Sequence, residues 1–390
     1  MAYSVFLKKH EDKRIRAGHP WVYANEVDHI DGKGSNGDLA AVYDAHGSLL
    51  GRGYINHTSK ILVRLFLHGE ETDDKEFYKQ RIRAADDYRR RLGYRDCYRM
   101  VFGEADGLPA LIVDKYHDLL CVQLLSLGID RRRALIVECL QELFAPRGIY
   151  ERSDAEVRRK EGLPLVKGPL YGSFDPRVTV EENGLKMIAD LENGQKTGYF
   201  LDQKENRFAL RRYAADAAVL DCFCNVGGFA LNAAAAGARE VTALDISERA
   251  LADVRANAAL NGLEDRVHTV CGDVFDKLRE YKRDGQRFDL VVLDPPAFCK
   301  SAADVPDAYR GYRDINVLGM KLVRSGGFLA TASCSHYMTL PLFEKMLRES
   351  ARMSGRQVRS VEIRTQAADH PAILAADETT YLKFFVLQVL

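Results

Sequence analysis

From about residue 195 the sequence alternates short apolar runs with helix-forming stretches, and this rhythm restricts the fold more than any other feature. "AVLDCFC" (218–224) reads as a buried strand, "FALNAAAAGA" (229–238) as a helix and "EVTALDI" (240–246) as a second strand. "SERALADVRANAALNGL" (247–263) reads as a helix with Ser247 as its N-cap and Gly262 near its C-cap. "RVHTVCGD", "FDLVVLD" and "GGFLATASC" supply strands three to five, and "RQVRSVEIR" and "YLKFFVLQVL" two more. Such alternation gives an α/β domain with a Rossmann-like, doubly wound, mostly parallel sheet.

In an open parallel sheet, ligands sit beyond the carboxyl ends of the strands. Strand one ends in "DCFCNVGGF", which makes Asp221, Phe223, Asn225, Gly227 and Gly228 candidates for ligand contact. The two glycines let backbone approach a ligand at the N-terminus of the next helix. Strand two closes on Asp245, strand three on Asp273, strand four on Asp294 and strand five on Cys334. Asp245 can take both hydroxyls of a ribose, and Asp273 an adenine amino group. A nicotinamide dinucleotide would also require G-x-G-x-x-G for its pyrophosphate. The loop here is N-x-G-G-F, a poor cradle for phosphate. S-adenosylmethionine, with ribose and adenine but no phosphate, fits better.

The phrase "VVLDPPAFCKS" (291–301) follows an apolar strand with an acid and two prolines. Pro295 and Pro296 fix φ and lack N–H groups, so they stiffen a lip whose carbonyls can face a ligand. Phe298 offers a ring on which a base can stack. Asp294 can accept from an exocyclic amine or a ring N–H. Cys334 suits cytosine chemistry. The C5 carbon of cytosine is a poor nucleophile until a thiolate adds at C6. Cys299 lies in a loop, and its direction is not fixed by the pattern. A packed structural cysteine is the competing reading for Cys334.

The rest of the chain reads as two smaller domains. Residues 1–70 show short alternating runs broken by glycine, such as "GDLAAVYDAHGSLLGRGYI", and suggest a small β-barrel. Residues 71–185 are α+β, opening on the polar helix "DDKEFYKQRIRAADDYRRRLG", and the third domain takes 186–390. A Glu-Asn-Gly stretch before "LKMIAD" marks a hairpin turn at the junction. Eight cysteines without a repeated C-x-x-C argue against zinc, and no metal site is expected. Lys+Arg and Asp+Glu both number 56, so net charge neither favours nor excludes nucleic acid. No apolar run reaches the ~18 residues of a membrane span. The N-terminus turns charged too early for a secretory signal, so the cytoplasm is the expected compartment.

Several phrases together resemble the bacterial large-subunit ribosomal RNA 5-methylcytosine methyltransferases of the RlmI type. They are "GHPWVYANEV", "GEADGLPALIVD", "YERSDAEVRRKEG", "NGQKTGYFLDQKENR", "DCFCNVGGFA", "LDPPAF", "GYRDIN", "SCSHYMT" and "QAADHP". The resemblance implies an N-terminal RNA-binding PUA domain, a central domain and a class I methyltransferase domain that uses S-adenosylmethionine. It assigns the nucleophile to Cys334 and ring stabilisation to Asp294, and makes Gln203 a cofactor contact. Ribosomal RNA is then the partner, with no membrane; the choice between monomer and homodimer stays open. Two positions depart from the pattern: Ala297 stands where relatives often carry Lys, and Val226 where they carry Thr. In two-cysteine RNA cytosine methyltransferases the extra cysteine directly follows the first proline, a place held here by Pro296. Cys299 is therefore expected to be dispensable. Two other readings compete: methylation of an exocyclic amine, which needs no thiol, and a non-enzymatic RNA-binding module on a degenerate cofactor fold.

Overall fold

A computed structural model describes every residue except Met1 and Lys300. The chain divides into two compact units. One contains Met1–Val180, Ala189–Asp202 and Ala368–Thr379; the other contains Glu181–Ile188, Gln203–Ala367 and Thr380–Leu390.

In the first unit, β1 (Tyr3–Leu7), α1 (Lys13–Arg16), β2 (Trp21–Tyr23), β3 (Val27–Gly32), β4 (Leu39–Tyr43), β5 (Leu49–Ile55) and β6 (Ile61–Leu67) come first. The strands form one six-stranded sheet in the order β2-β6-β5-β4-β1-β3, with β1 and β4 parallel. Its core is Val5, Leu7, Val22, Val42, Ile55, Val63 and their neighbours. Then come α2 (Lys75–Arg91), β7 (Cys97–Phe102), β8 (Leu111–Tyr116), β9 (Leu119–Leu124), α3 (Leu127–Asp130), α4 (Arg133–Phe144), β10 (Gly148–Ser153) and β11 (Val166–Tyr171). These strands make a second sheet in the order β11-β10-β9-β8-β7. Strand β7 has no counterpart in the sequence reading, because Arg99 breaks the apolar run of "CYRMVF" and charged residues precede it. Residues 368–371 of the "QAADHP" phrase are part of this unit's scaffold. Asp369 Oδ2 accepts the Arg99 N–H, and its carbonyl accepts from the fully buried Arg89 guanidinium.

Strands β12 (Arg177–Glu182) and β13 (Leu185–Asp190) form a hairpin. Asn183 and Gly184 turn it at φ 56° and 74°, the two positive values a tight hairpin turn requires.

The second unit continues with α5 (Lys204–Leu210), β14 (Ala218–Cys222), α6 (Gly228–Ala235), β15 (Glu240–Asp245), α7 (Glu248–Leu260), β16 (Val267–Cys271), α8 (Val274–Arg283) and β17 (Phe288–Leu293). It closes with α9 (Val305–Leu322), β18 (Val323–Ser333), α10 (Leu340–Ser354), β19 (Val358–Arg364) and β20 (Lys383–Val389). The sheet order is β16-β15-β14-β17-β18-β20-β19. Five neighbouring strands run parallel, as expected from the alternation, and β20 enters antiparallel between β18 and β19. Strand order reverses between β14 and β17, the place where such sheets open a crevice. Leu220, Leu244, Val291, Leu293 and Leu329 lie in one apolar core with Ile315 of α9 and Phe343 of α10. Ser247 caps α7 by accepting the Ala250 N–H at 3.3 Å, as its position in the sequence suggests.

Candidate active site

The acids of the second unit gather at the carboxyl ends of its parallel strands, each in a different electrostatic setting. Asp221 is fully buried inside the end of β14. Its Oδ2 accepts the Ala230 N–H at 2.9 Å, satisfying one of the unpaired donors in the first turn of α6. Its Oδ1 is buried with no hydrogen-bond donor among the described residues. Burial, and then the neighbouring Asp294 and Asp245, push this carboxyl well above the ordinary carboxylate range.

The loop from β14 to α6 is held in an unusual backbone conformation. Phe223, Asn225 and Gly227 take φ of 61°, 49° and 86°. Left-handed backbone at a bulky aromatic residue is a genuine outlier, of the kind that concentrates at ligand sites. Glycine is required at 227, where a Cβ would also come within 3.1 Å of Val254 Cγ1. Gly228 begins α6 directly after it. Asp245, the last residue of β15, fixes this loop: its Oδ2 accepts the Asn225 N–H at 3.0 Å while its Oδ1 accepts the Ser247 N–H at 2.9 Å. Each oxygen keeps acceptor capacity for a hydroxyl. Asp273 is exposed and caps α8, accepting the Asp276 N–H at 3.1 Å. These three acids therefore share an end of the sheet and differ in duty.

Asp294 stands one residue past β17 and is half-buried. Its Oδ1 accepts from Gln203 Nε2 at 3.0 Å, and Gln203 Oε1 in turn accepts from Asn206 Nδ2 at 2.7 Å. The amide that the resemblance gave to the cofactor is thus engaged with Asp294 and Asn206. Of the prolines, Pro295 is buried and Pro296 exposed. The Phe298 ring is half-buried and packs on Tyr312, Phe275 and Phe223 at centroid distances of 4.7, 6.2 and 6.5 Å. It buttresses the loop from within while keeping part of its surface exposed.

The two thiols separate clearly. Cys299 is 3% exposed, with Sγ on the Ser301 carbonyl at 3.2 Å. Burial, then Asp304, raises its pKa. Cys334 lies one residue beyond β18, next to the strand that ends at Asp294, and is partly exposed. Both its neighbours are buried and bonded. Ser333 Oγ donates to the Tyr312 hydroxyl at 3.0 Å, and the Tyr312 hydroxyl lies 3.0 Å from Ser335 Oγ. The same Ser335 Oγ accepts the Cys299 N–H at 3.2 Å, joining the two cysteine-bearing loops. Burial pushes the Tyr312 phenol up to about 12, so it stays a neutral hydrogen-bonding post.

Tyr312, Ser333, Ser335 and Lys383 surround Cys334, yet none stands out as a site residue in the sequence. "GYRDIN" and "SCSHYMT" carry three of them without showing that helix and strand converge. Lys383 gives one faint signal, a charge heading an otherwise uncharged strand.

Comparison with known proteins adds two family matches. Residues 5–67 match a PUA-like domain and residues 170–384 an S-adenosylmethionine-dependent methyltransferase. Ribosomal RNA large subunit methyltransferase I of Klebsiella pneumoniae is 41% identical over 390 residues, covering 98% of both chains. The proteins of that name from Cronobacter sakazakii and Escherichia coli are 40% and 39% identical over the whole of both chains. The chain belongs to the ribosomal RNA large subunit methyltransferase I family. Two solved structures share its fold at 20–21% identity. A putative methyltransferase complexed with SAH has a TM-score of 0.87, and a putative SAM-dependent methyltransferase from Streptococcus mutans one of 0.85. Each covers 99% of this chain.

The enzyme is accordingly an S-adenosylmethionine-dependent methyltransferase, with a PUA-like domain before the catalytic fold. The site fits that cofactor. The donorless, buried Oδ1 of Asp221 suits a ligand that carries an ammonium and a sulfonium. Asp245 retains acceptor sites for ribose hydroxyls, and the Asn225–Gly228 backbone leaves room for close approach. No helix among the described residues is long and apolar enough to cross a membrane.

Proposed function

We propose that this enzyme forms 5-methylcytosine in large-subunit ribosomal RNA, with Cys334 as nucleophile and Asp294 as the group that holds the pyrimidine. The supporting observation is the pairing of a partly exposed thiol with an acid at adjacent strand ends, while the second thiol nearby is buried. The names of the relatives support ribosomal RNA as the substrate.

The Cys334 thiolate would add to C6, moving the C5–C6 π pair toward C5. Asp294, oriented by Gln203, would hold the ring through its N3 and exocyclic-amine edge as charge develops. The bound cofactor supplies an electrophilic methyl group. Loss of the C5 proton then returns a pair to the ring, the C6–S bond breaks, and the thiolate is regenerated. No residue is assigned to take that proton. Asp245 and Asp221 act on binding and orientation, through the loop that Asp245 ties down and the carboxylate buried beneath it.

The reaction is placed in the cytoplasm, where ribosomal RNA is made and modified. The PUA-like domain is proposed to grip RNA backbone. Nucleoside mass spectrometry of ribosomal RNA from cells lacking the protein tests this function. Loss of 5-methylcytosine at one position supports it. Loss of an N-methylated guanine or adenine instead would favour exocyclic-amine chemistry.

A further inference from the structure

The opening strand residue of β20 supplies a cation to the thiol site. Lys383 is 5% exposed, and lysine is almost never buried without a reason. Strand pairing sets it directly opposite Ser333, the residue before Cys334. Its Nζ donates to the Ser335 carbonyl at 2.7 Å and to the Tyr381 carbonyl at 2.8 Å. One ammonium donor therefore clamps the backbone just past Cys334 and a second ties the lysine to its own strand entry, which leaves one for the sulfur. Tyr312, Ser333 and Ser335 hold the same segment through their hydroxyls.

We propose that Lys383 is a positioning residue for Cys334, fixing the Ser333–Ser335 segment and stabilising the thiolate with a buried ammonium. The proposal rests on the assignment of Cys334 as nucleophile. When the thiol ionises its proton passes to solvent, and Lys383 keeps its own hydrogens. When sulfur bonds to C6 the negative charge moves onto the ring. When the adduct breaks, the pair returns to sulfur beside the ammonium.

The electrostatics agree. Burial lowers Lys383 to about 8, and the groups that oppose that fall are Cys334 and then Cys299. By reciprocity, the ammonium favours the thiolate of each. Other polar or ionisable groups face this cluster. Tyr312 reaches it from α9 and stays neutral, and Asp304 acts on the buried Cys299.

The test reads the thiol without turnover. Iodoacetamide alkylation of Cys334 is followed against pH by peptide mass spectrometry, with the exposed Cys271 as internal reference. In Lys383→Met the Cys334 midpoint should rise by about one pH unit or more, the scale on which a neighbouring cation acts on a thiol. Cys271 should not move, and S-adenosylmethionine binding should persist by calorimetry. Lys383→Arg, which keeps charge and donors, should restore most of the shift. Methylation by Lys383→Met should show lowered kcat with KM for RNA little changed. An unmoved Cys334 midpoint in a variant that still binds cofactor overturns the proposal. If Lys383→Met does not bind cofactor, Lys383→Gln, which keeps a donor for the Ser335 carbonyl without the charge, takes its place under the same criteria. Failure of the nucleophile assignment is seen separately, as methylation that survives Cys334→Ala.

Discussion

Gln203 Nε2 lies 3.0 Å from Asp294 Oδ1, so the carboxylate proposed to hold the pyrimidine is itself held by a buried amide. The amide is locked in turn by Asn206. A misplacement of about 1 Å at such a group can cost roughly 100-fold in rate. Gln203→Ala is therefore expected to lower kcat by about 10- to 100-fold while changing cofactor affinity much less. Asp294→Asn should be more severe. Single-turnover methylation and calorimetry, run side by side, separate the two effects. A loss of cofactor binding that matches the loss of rate would return Gln203 to the cofactor.

Cys334→Ala should abolish methylation, by on the order of 10³-fold or more, as removal of a covalent nucleophile does. Cofactor binding should survive, because the alanine leaves β14, β15 and their loop intact. Retained turnover would exclude the covalent route and leave the exocyclic-amine reading standing.

Cys299→Ala should keep near-normal methylation at a cost of about 1 kcal/mol in stability, since the thiol is buried and its neighbour Ser335 takes the backbone N–H of residue 299. Methylation assays and thermal melts check this. A large loss of activity with an unchanged melt would give Cys299 a chemical part.

Asp221 ties stability to pH. Its carboxyl is raised in the folded state, so below the ordinary carboxylate pKa folded and unfolded chains are both protonated and no penalty exists. As pH rises the unfolded chain ionises first, and the folded state is progressively disfavoured. Asp221→Asn can still accept the Ala230 N–H without a buried charge. Its melting temperature should exceed wild type by about 2–4 °C near neutral pH, with the gap closing toward pH 4. Cofactor affinity should fall. A gap that widens on acidification would contradict the sign.

If the PUA-like domain binds RNA backbone, affinity should drop at least about tenfold over a few-fold rise in salt. Filter binding of ribosomal RNA fragments at several salt concentrations measures it, and a flat response would remove backbone contact from the domain's role.

Much of this architecture is written locally. The apolar runs of β14, β15 and β17, the Ser247 cap and the Asn183–Gly184 turn each depend on neighbours in sequence, and each lies where local pattern places it. The acids at the strand ends were legible for the same reason, because a charge after a buried run marks where the run surfaces. What sequence does not display is convergence across long separations. Lys383 meets Ser335 from 48 residues away, and Tyr312 meets it from 23. Nor does sequence show that Tyr312 and Phe275 pack against Phe298.

The late position of β20 in the chain, inside its earlier neighbour β19, imposes an order of assembly. Until residues 383–389 emerge from the ribosome, β18 is an unpaired edge and β19 has nothing to align against. The sulfur proposed as nucleophile therefore meets the lysine proposed as its counter-ion in the same event that closes the sheet. A nascent chain carries Cys334 well before it carries Lys383.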